Sequence, residues 1–519
     1  MNAMIRERNK VVVVGAGPGG LASAMLLASR GAKVRVVERR PNVGGRTSEL
    51  RLGEYRFDLG PTFFLYPRVL EEIFESVGER LRDWVDLVRL DPQYRILFGD
   101  GGKIDATPNV ERMMAEIASI APQDAAGFPQ FLDQNRRKLS RLEPVLESSF
   151  NGWKDLVKRS LINSIPFVNP HLSVDGYLRR FFSDPRIRLA FSFQSKYLGM
   201  SPFQCPSLFS ILSFLEYEHG VFHPIGGCAA VTRAMEKVAR KLGVEFCLEE
   251  QVEETVFDGK RLVALRTNKG RHEADAFVVN ADFAHFMRRS VPNAQRNRWR
   301  DEKLEKKRYS CSTFMLYLGL SKKFELPHHN ILISEEYEKN LREIEVDKVV
   351  PSNPSVYVQN PCVTDPTLAP DGTSGLYILA PAPHETPNVS WEKESTAFRA
   401  KVLKRVRQIG FEFDERDIRC ERMITPEDWR DEYFIHKGAT FNLAHNLGQL
   451  LHLRPRNRFE DMEGVYLVGG GTHPGSGLPV IFESARISTS LLGQDLGLAG
   501  AMPHSDYVSE NSSPQPALA

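Results

Sequence analysis

Cysteine is scarce in this chain: six residues (Cys205, Cys228, Cys247, Cys311, Cys362 and Cys420) in 519, none of them in a C-x-x-C pair. That usage suits a reducing cytosol and argues against a zinc cluster. The thirteen histidines show no paired ligand spacing, so no metal is expected. No uninterrupted apolar run approaches the ~20 residues of a membrane span. The N-terminus enters a strand by Val11 with no apolar h-region or cleavage site, so no signal peptide is expected. An excess of one charge is missing too: the formal net charge is +2, with 26% charged residues, which argues against a nucleic-acid partner. What remains is a large, cytoplasmic chain with room for two or three domains and an interior cavity.

The first thing present is a glycine turn. Val11-Val12-Val13-Val14 is a β-branched run of the kind buried on both faces of a parallel sheet. Gly15, Gly17 and Gly20 follow at G-x-G-x-x-G spacing, which serves a tight turn, close backbone approach to a pyrophosphate, and close packing of helix on strand. Leu21, Ala24, Leu27 and Ala28 then repeat at helical spacing, placing the phosphate at a helix N-terminus. Residues 33–38 return to a strand ending in Glu38, an acceptor for a ribose hydroxyl. Arg39 and Arg40 could grip a 2′-phosphate, which keeps NADP open. The pair Gly44-Gly45 followed by Arg46 suits a longer ligand clamped from two sides and favours a flavin nucleotide.

A second turn lies near the far end. Val465-Tyr466-Leu467-Val468 runs into a glycine cluster, and helical spacing resumes over 481–492. The segment 465–498 is too short to bury its own core, so the two turns belong to one discontinuous domain.

Together these motifs resemble the FAD-dependent amine oxidase and phytoene desaturase superfamily. Phe57-Asp58-Leu59-Gly60-Pro61-Thr62 resembles a segment of its carotenoid branch. The run from Val465 through Gly469-Gly470-Gly471-Thr472-His473-Pro474-Gly475-Ser476-Gly477-Leu478-Pro479 looks like the C-terminal flavin signature of bacterial phytoene desaturases, and EYEHGVFHPIGG (216–227) matches in the middle. The resemblance implies an α/β chain: a discontinuous Rossmann-like FAD-binding domain (1–105, 226–288 and 456–500) with an inserted α+β substrate domain (106–225 and 289–455). It implies FAD held non-covalently by Gly15, Gly17, Gly19, Gly20, Glu38, Arg39, Gly44, Gly45 and Arg46, by Gly60, Pro61 and Thr62, by the backbone of Val252 at the adenine, and by Gly470, Gly471, Gly477, Leu478 and Pro479. The implied reaction is desaturation of a long polyene, phytoene or a C30 diapophytoene, by hydride transfer, with oxygen or a quinone as terminal electron acceptor.

One departure is visible: Leu478-Pro479-Val480-Ile481 stands where bacterial phytoene desaturases commonly read Ile-Pro-Gly-Val. Carotenoid oxidation or isomerisation therefore stays open, as does amine oxidation. The lack of any cysteine over 465–498 disfavours the covalent flavin link that some amine oxidases make there. A carrier with a purely structural flavin is a further alternative.

His473 and Glu483 flank the C-terminal turn and are the catalytic candidates. His223 is a weaker one, and no general base is assigned. Phe181, Phe182, Phe191, Phe193, Tyr197, Phe203, Phe209, Phe214, Tyr217 and Phe222 crowd one stretch. Such residues are mostly core, yet their density permits an apolar tunnel. A polyene resides in bilayers, so peripheral membrane attachment is expected. Residues 153–168, with Trp153, Leu156, Val157 and Leu161 against Lys154, Lys158 and Arg159, read as an interfacial helix. The polar, proline-bearing tail 501–519 is expected to be disordered.

Overall fold

The computed structural model describes residues 9–500. Five strands far apart in the chain make one parallel sheet, in the order Glu245–Cys247, Lys33–Val37, Lys10–Val14, Ala276–Val279 and Val465–Leu467. Alternation along the first strand sets both faces. Val11 and Val13 pack with Leu21, Val231, Met235 and Phe482 from the helices Pro18–Ser29, Cys228–Lys241 and Leu478–Leu496. Val12 and Val14 pack on the opposite side with Leu262, Phe283, Phe286 and Trp299. The sheet is thus covered on both faces, as the apolar runs Val11–Val14, Ala276–Val279 and Val465–Leu467 require.

A second sheet has seven strands, ordered Ile418–Ile424, Ser312–Leu320, Ser374–Ala382, Val356–Gln359, His329–Ile333, Tyr94–Phe98 and Lys103–Ala106. One face, with Phe314, Leu316 and Leu318, packs on the helix Trp391–Ile409. The other carries Met315, Tyr317 and Tyr377 toward the nucleotide half. Helices over residues 110–219 complete the second half around Phe128, Phe131, Phe181, Phe182, Phe191 and Tyr217, so most of the aromatic crowd is core.

Two expectations are corrected here. The first boundary, placed at 105, falls too late: Tyr94–Phe98 pairs in parallel with His329–Ile333, which puts 94–106 in the seven-stranded sheet. Period-two burial of Tyr94, Ile96 and Phe98 marks a strand but says nothing of its partner more than 200 residues on. Residues 153–168 are not one helix. A 3-10 turn, Trp153–Val157, is broken at Lys158 (ψ 134°) before the helix Arg159–Val168. The segment does expose apolar groups together: Trp153 is 70% exposed, Val157 67%, and Ile162 and Ile165 about half. Among the described residues no helix is long and apolar enough to cross a membrane. The tail 501–519, expected to be disordered, lies outside the described residues.

Candidate functional site

A cavity of about 750 Å³ runs between the two sheets, within the usual range for ligand sites. Its nucleotide end is built largely from backbone. Gly17 precedes the helix Pro18–Ser29 and Gly477 precedes the helix Leu478–Leu496. Neither helix has a side-chain cap or an acidic residue in its first turn, so both N-termini present free N–H groups at the cavity. Gly15 has φ +93°, and a Cβ on Gly45 would lie 3.3 Å from the Gly17 Cα, so the two glycine segments close on one another.

Of the expected nucleotide contacts, Gly15, Gly17, Glu38, Arg39, Gly45, Arg46, Gly60, Pro61, Thr62, Val252, Gly470, Gly471, Gly477, Leu478 and Pro479 line this cavity. Three do not. A Cβ on Gly20 would overlap the Gly15 carbonyl, one on Gly19 would sit 2.6 Å from Val468 Cγ1, and one on Gly44 would meet Thr232 Oγ1 at 2.9 Å. At these glycines the absence of a side chain permits close packing behind the turn.

Glu38 Oε2 accepts from the Ala16 N–H at 2.8 Å and Oε1 from the Arg40 N–H at 2.9 Å, leaving lone pairs toward the cavity. Arg39 stacks over Phe434, 3.9 Å from its centroid, and Arg40 over Tyr433 at 4.6 Å. Burial lowers the Arg46 pKa, and nearby Asp282 opposes the shift. Asp282 accepts from Asn442 Nδ2 at 2.6 Å and lines the cavity with Asn280. Sequence reasoning assigned Asn280 and Asp282 no role; their signal is position, directly after the buried strand Ala276–Val279, as Gly15 follows Lys10–Val14.

His473 and Glu483, expected beside the ring, lie outside the cavity lining. His473 is buried and its Nε2–H donates to the Ser148 carbonyl at 3.0 Å. Burial pulls its pKa down to about 4, leaving it neutral. Glu483 is buried against Arg486, which also pairs with Glu72 at 2.8 Å. His473 is thus tied to Ser148 and Glu483 to Arg486 on its own helix, both away from the cavity lining. His223 is likewise fully buried, 3.4 Å from Asp365. An unforeseen anchor is Arg454, whose fully buried guanidinium donates to the carbonyls of Leu443, Ala444, Gln449, Gly470 and Thr472 at 2.6 to 3.3 Å. Burial lowers its pKa to about 9.

The other end of the cavity is made of side chains: Phe63, Leu65, Phe193, Leu212, Leu215, Ile331, Met315 and Leu379, with tyrosines 197, 357 and 377. Tyr357 OH meets Thr62 Oγ1 at 2.7 Å and His329 Nδ1 at 2.8 Å. Burial pushes Tyr357 well up and His329 well down, so both are neutral at pH 7.

The profile of the flavin containing amine oxidoreductases matches residues 18–488. The chain belongs to that family. This flavin oxidoreductase is 40% identical over 486 residues to a 4,4'-diapophytoene desaturase (4,4'-diapolycopene-forming) of Methylomonas sp, covering 93% of this chain and 95% of that one. It is 40% identical over 507 residues to an all-trans-zeta-carotene desaturase of Myxococcus xanthus, covering 96% of each. Among solved structures, an oxidoreductase from Methanosarcina mazei shares the fold, with a TM-score of 0.61 and 17% identity over 92% of this chain and 99% of that one. The cofactor of this flavin oxidoreductase is FAD. The fit is physical as well: two uncapped helix N-termini, an acidic acceptor at Glu38 and a glycine cradle suit a dinucleotide.

Proposed function

We propose that the protein is an FAD-dependent desaturase that removes hydrogen in pairs from a long lipophilic polyene. The carrying observation is the distribution of charge around the cavity: the lining acids Glu38, Glu250, Glu253 and Asp282 all sit on the nucleotide half, and the remaining wall, mostly apolar or aromatic, has no lining carboxylate. An ammonium substrate would find no carboxylate there, which disfavours amine oxidation. The names of the Methylomonas and Myxococcus relatives support the polyene reading.

Bound flavin supplies the two-electron acceptor that no side chain offers. The chain's own work is to hold one allylic carbon pair, exclude water, and take the proton that remains. A polyene cation is a very strong carbon acid, so a weak neutral base suffices. We assign the proton to Tyr357, whose own hydroxyl proton passes to His329 Nδ1. The exposed group Trp153, Val157, Ile162 and Ile165 is the surface we place against the bilayer holding the substrate. Oxygen or a quinone would reoxidise the flavin. The test is to make the protein in cells that accumulate C30 or C40 precursors. The polyene should lose mass in steps of two hydrogens while its absorbance moves to the red; an oxygenated or isomerised product of unchanged hydrogen content would contradict the reading.

A further inference from the structure

Strand register orders the apolar part of the cavity from near to far. Tyr377 OH donates to the Gly60 carbonyl at 2.7 Å, which fixes the near end. Leu379 and Pro381 follow on the same strand. Beside them run Met315 then Thr313, Tyr357 then Ser355, and Ile331 then Ile333, all lining the cavity. Two steps of two residues advance roughly 13 Å.

That far end is not apolar. Lys196 lines it, its Nζ 3.0 Å from Glu345 Oε1, with side chains only 14% and 15% exposed. Asn340, 2% exposed, also lines it. Its Oδ1 accepts from the Ser355 N–H and Oγ at 3.3 and 3.0 Å, while its Nδ2 is buried without a partner. Burial opposes the charge on Lys196, yet Cys311 and Glu345 hold its pKa above the usual value, so it remains a cationic donor. A buried ion pair and an unmade amide hydrogen bond are unfavourable beside a hydrocarbon terminus, which can satisfy neither. An oxygen on the terminal carbon can accept from both.

We infer that Asn340 and Lys196 form a binding site for an oxygen-bearing polyene terminus, so that the preferred substrate carries a hydroxyl or aldehyde at the end held away from Gly60. The inference rests on the polyene reading above, and it names the substrate class of that same cavity.

The test uses the holoenzyme with phosphatidylcholine vesicles loaded equally with a C30 polyene hydrocarbon and its terminal alcohol, and in a second arm with the terminal aldehyde. Binding is read from the polyene's absorbance shift on leaving the vesicle, and turnover from the ratio of the two consumption rates. At least one oxygenated polyene should be favoured about tenfold or more in both readouts. Asn340→Leu, and separately the charge-free pair Lys196→Met with Glu345→Gln, should bring the ratio to about one with FAD content unchanged. A wild-type ratio near one, or a preference unmoved in both variants, overturns the site. Should a variant lose FAD, the wild-type ratio alone decides. Preferential binding of the oxygenated polyene without consumption of either would sustain the site and overturn the desaturase reading instead.

Discussion

The two ends of the cavity are made of different material. At the nucleotide end the ligand would meet mostly main chain: N–H groups at two helix starts and glycines 15, 17, 45, 470 and 471, with the carboxylates of Glu38, Glu250, Glu253 and Asp282 beside them. At the other end it would meet side chains drawn from the seven-stranded sheet, the segment Phe193–Leu198 and residues 211–219. A backbone wall tolerates little change, because it depends on where the chain goes. A side-chain wall can be resurfaced one residue at a time, and this is where substrate choice resides.

Arg454→Met breaks the backbone end most completely. Five buried carbonyls lose this donor; Ala444 keeps Gln449 Nε2 and Gly470 keeps Ser476 Oγ, while Leu443, Gln449 and Thr472 are left at a cost of about 1–3 kcal/mol each. The variant should lose FAD and cooperative folding together, seen in flavin content and the urea midpoint; retention of both would show that the loop 469–477 holds itself. His473 gives the next largest effect, and it depends on pH. Its folded pKa of about 4 lies below the ordinary 6.5, so the folded state resists its protonation. The stability it contributes is complete above about 6.5 and falls by about 3 kcal/mol as pH drops to 4. His473→Gln should flatten part of that acid loss and keep turnover; loss of turnover with FAD still bound would restore His473 as a catalytic group.

These two positions also mark what the sequence does and does not disclose. Gly15, Gly17, Glu38 and the run 470–479 were legible because phosphate and ribose contacts come from short contiguous segments whose residue types have a local reason. His473 sits in that same run, but proximity to a turn does not say which way a ring points, and this one points at Ser148. Arg454 reads as one more arginine in RPRNR until the fold wraps five carbonyls around it. The strand Tyr94–Phe98 was placed in the wrong half because its partner lies beyond residue 328. Lys196 and Asn340 carry no motif; one comes from the 3-10 segment Phe193–Leu198 and the other from the helix Tyr337–Arg342, and only the folded chain puts both at the cavity.

A paired substitution sharpens the contrast. Glu38→Ala should weaken FAD by about 1.5 to 3 kcal/mol, roughly tenfold to a hundredfold, without altering which polyene is preferred. Ile331→Ala should leave FAD affinity unchanged and alter KM for the polyene. If either substitution crosses over, the two ends are coupled and the division fails.

The smallest effect on folding is expected at Trp153→Ser with Val157→Ser, within about 0.5 kcal/mol, since both side chains are about 70% exposed. Sedimentation with vesicles should nonetheless fall sharply if the segment inserts; unchanged sedimentation would place the membrane contact elsewhere.

The most direct measurement is anaerobic. Purified holoenzyme, yellow with oxidised and acid-releasable FAD, is mixed with vesicles carrying a polyene that still has saturated carbon pairs. The account predicts that the flavin colour bleaches in proportion to the new double bonds found in the polyene. A flavin that stays oxidised with every polyene yet bleaches with an amine would contradict it.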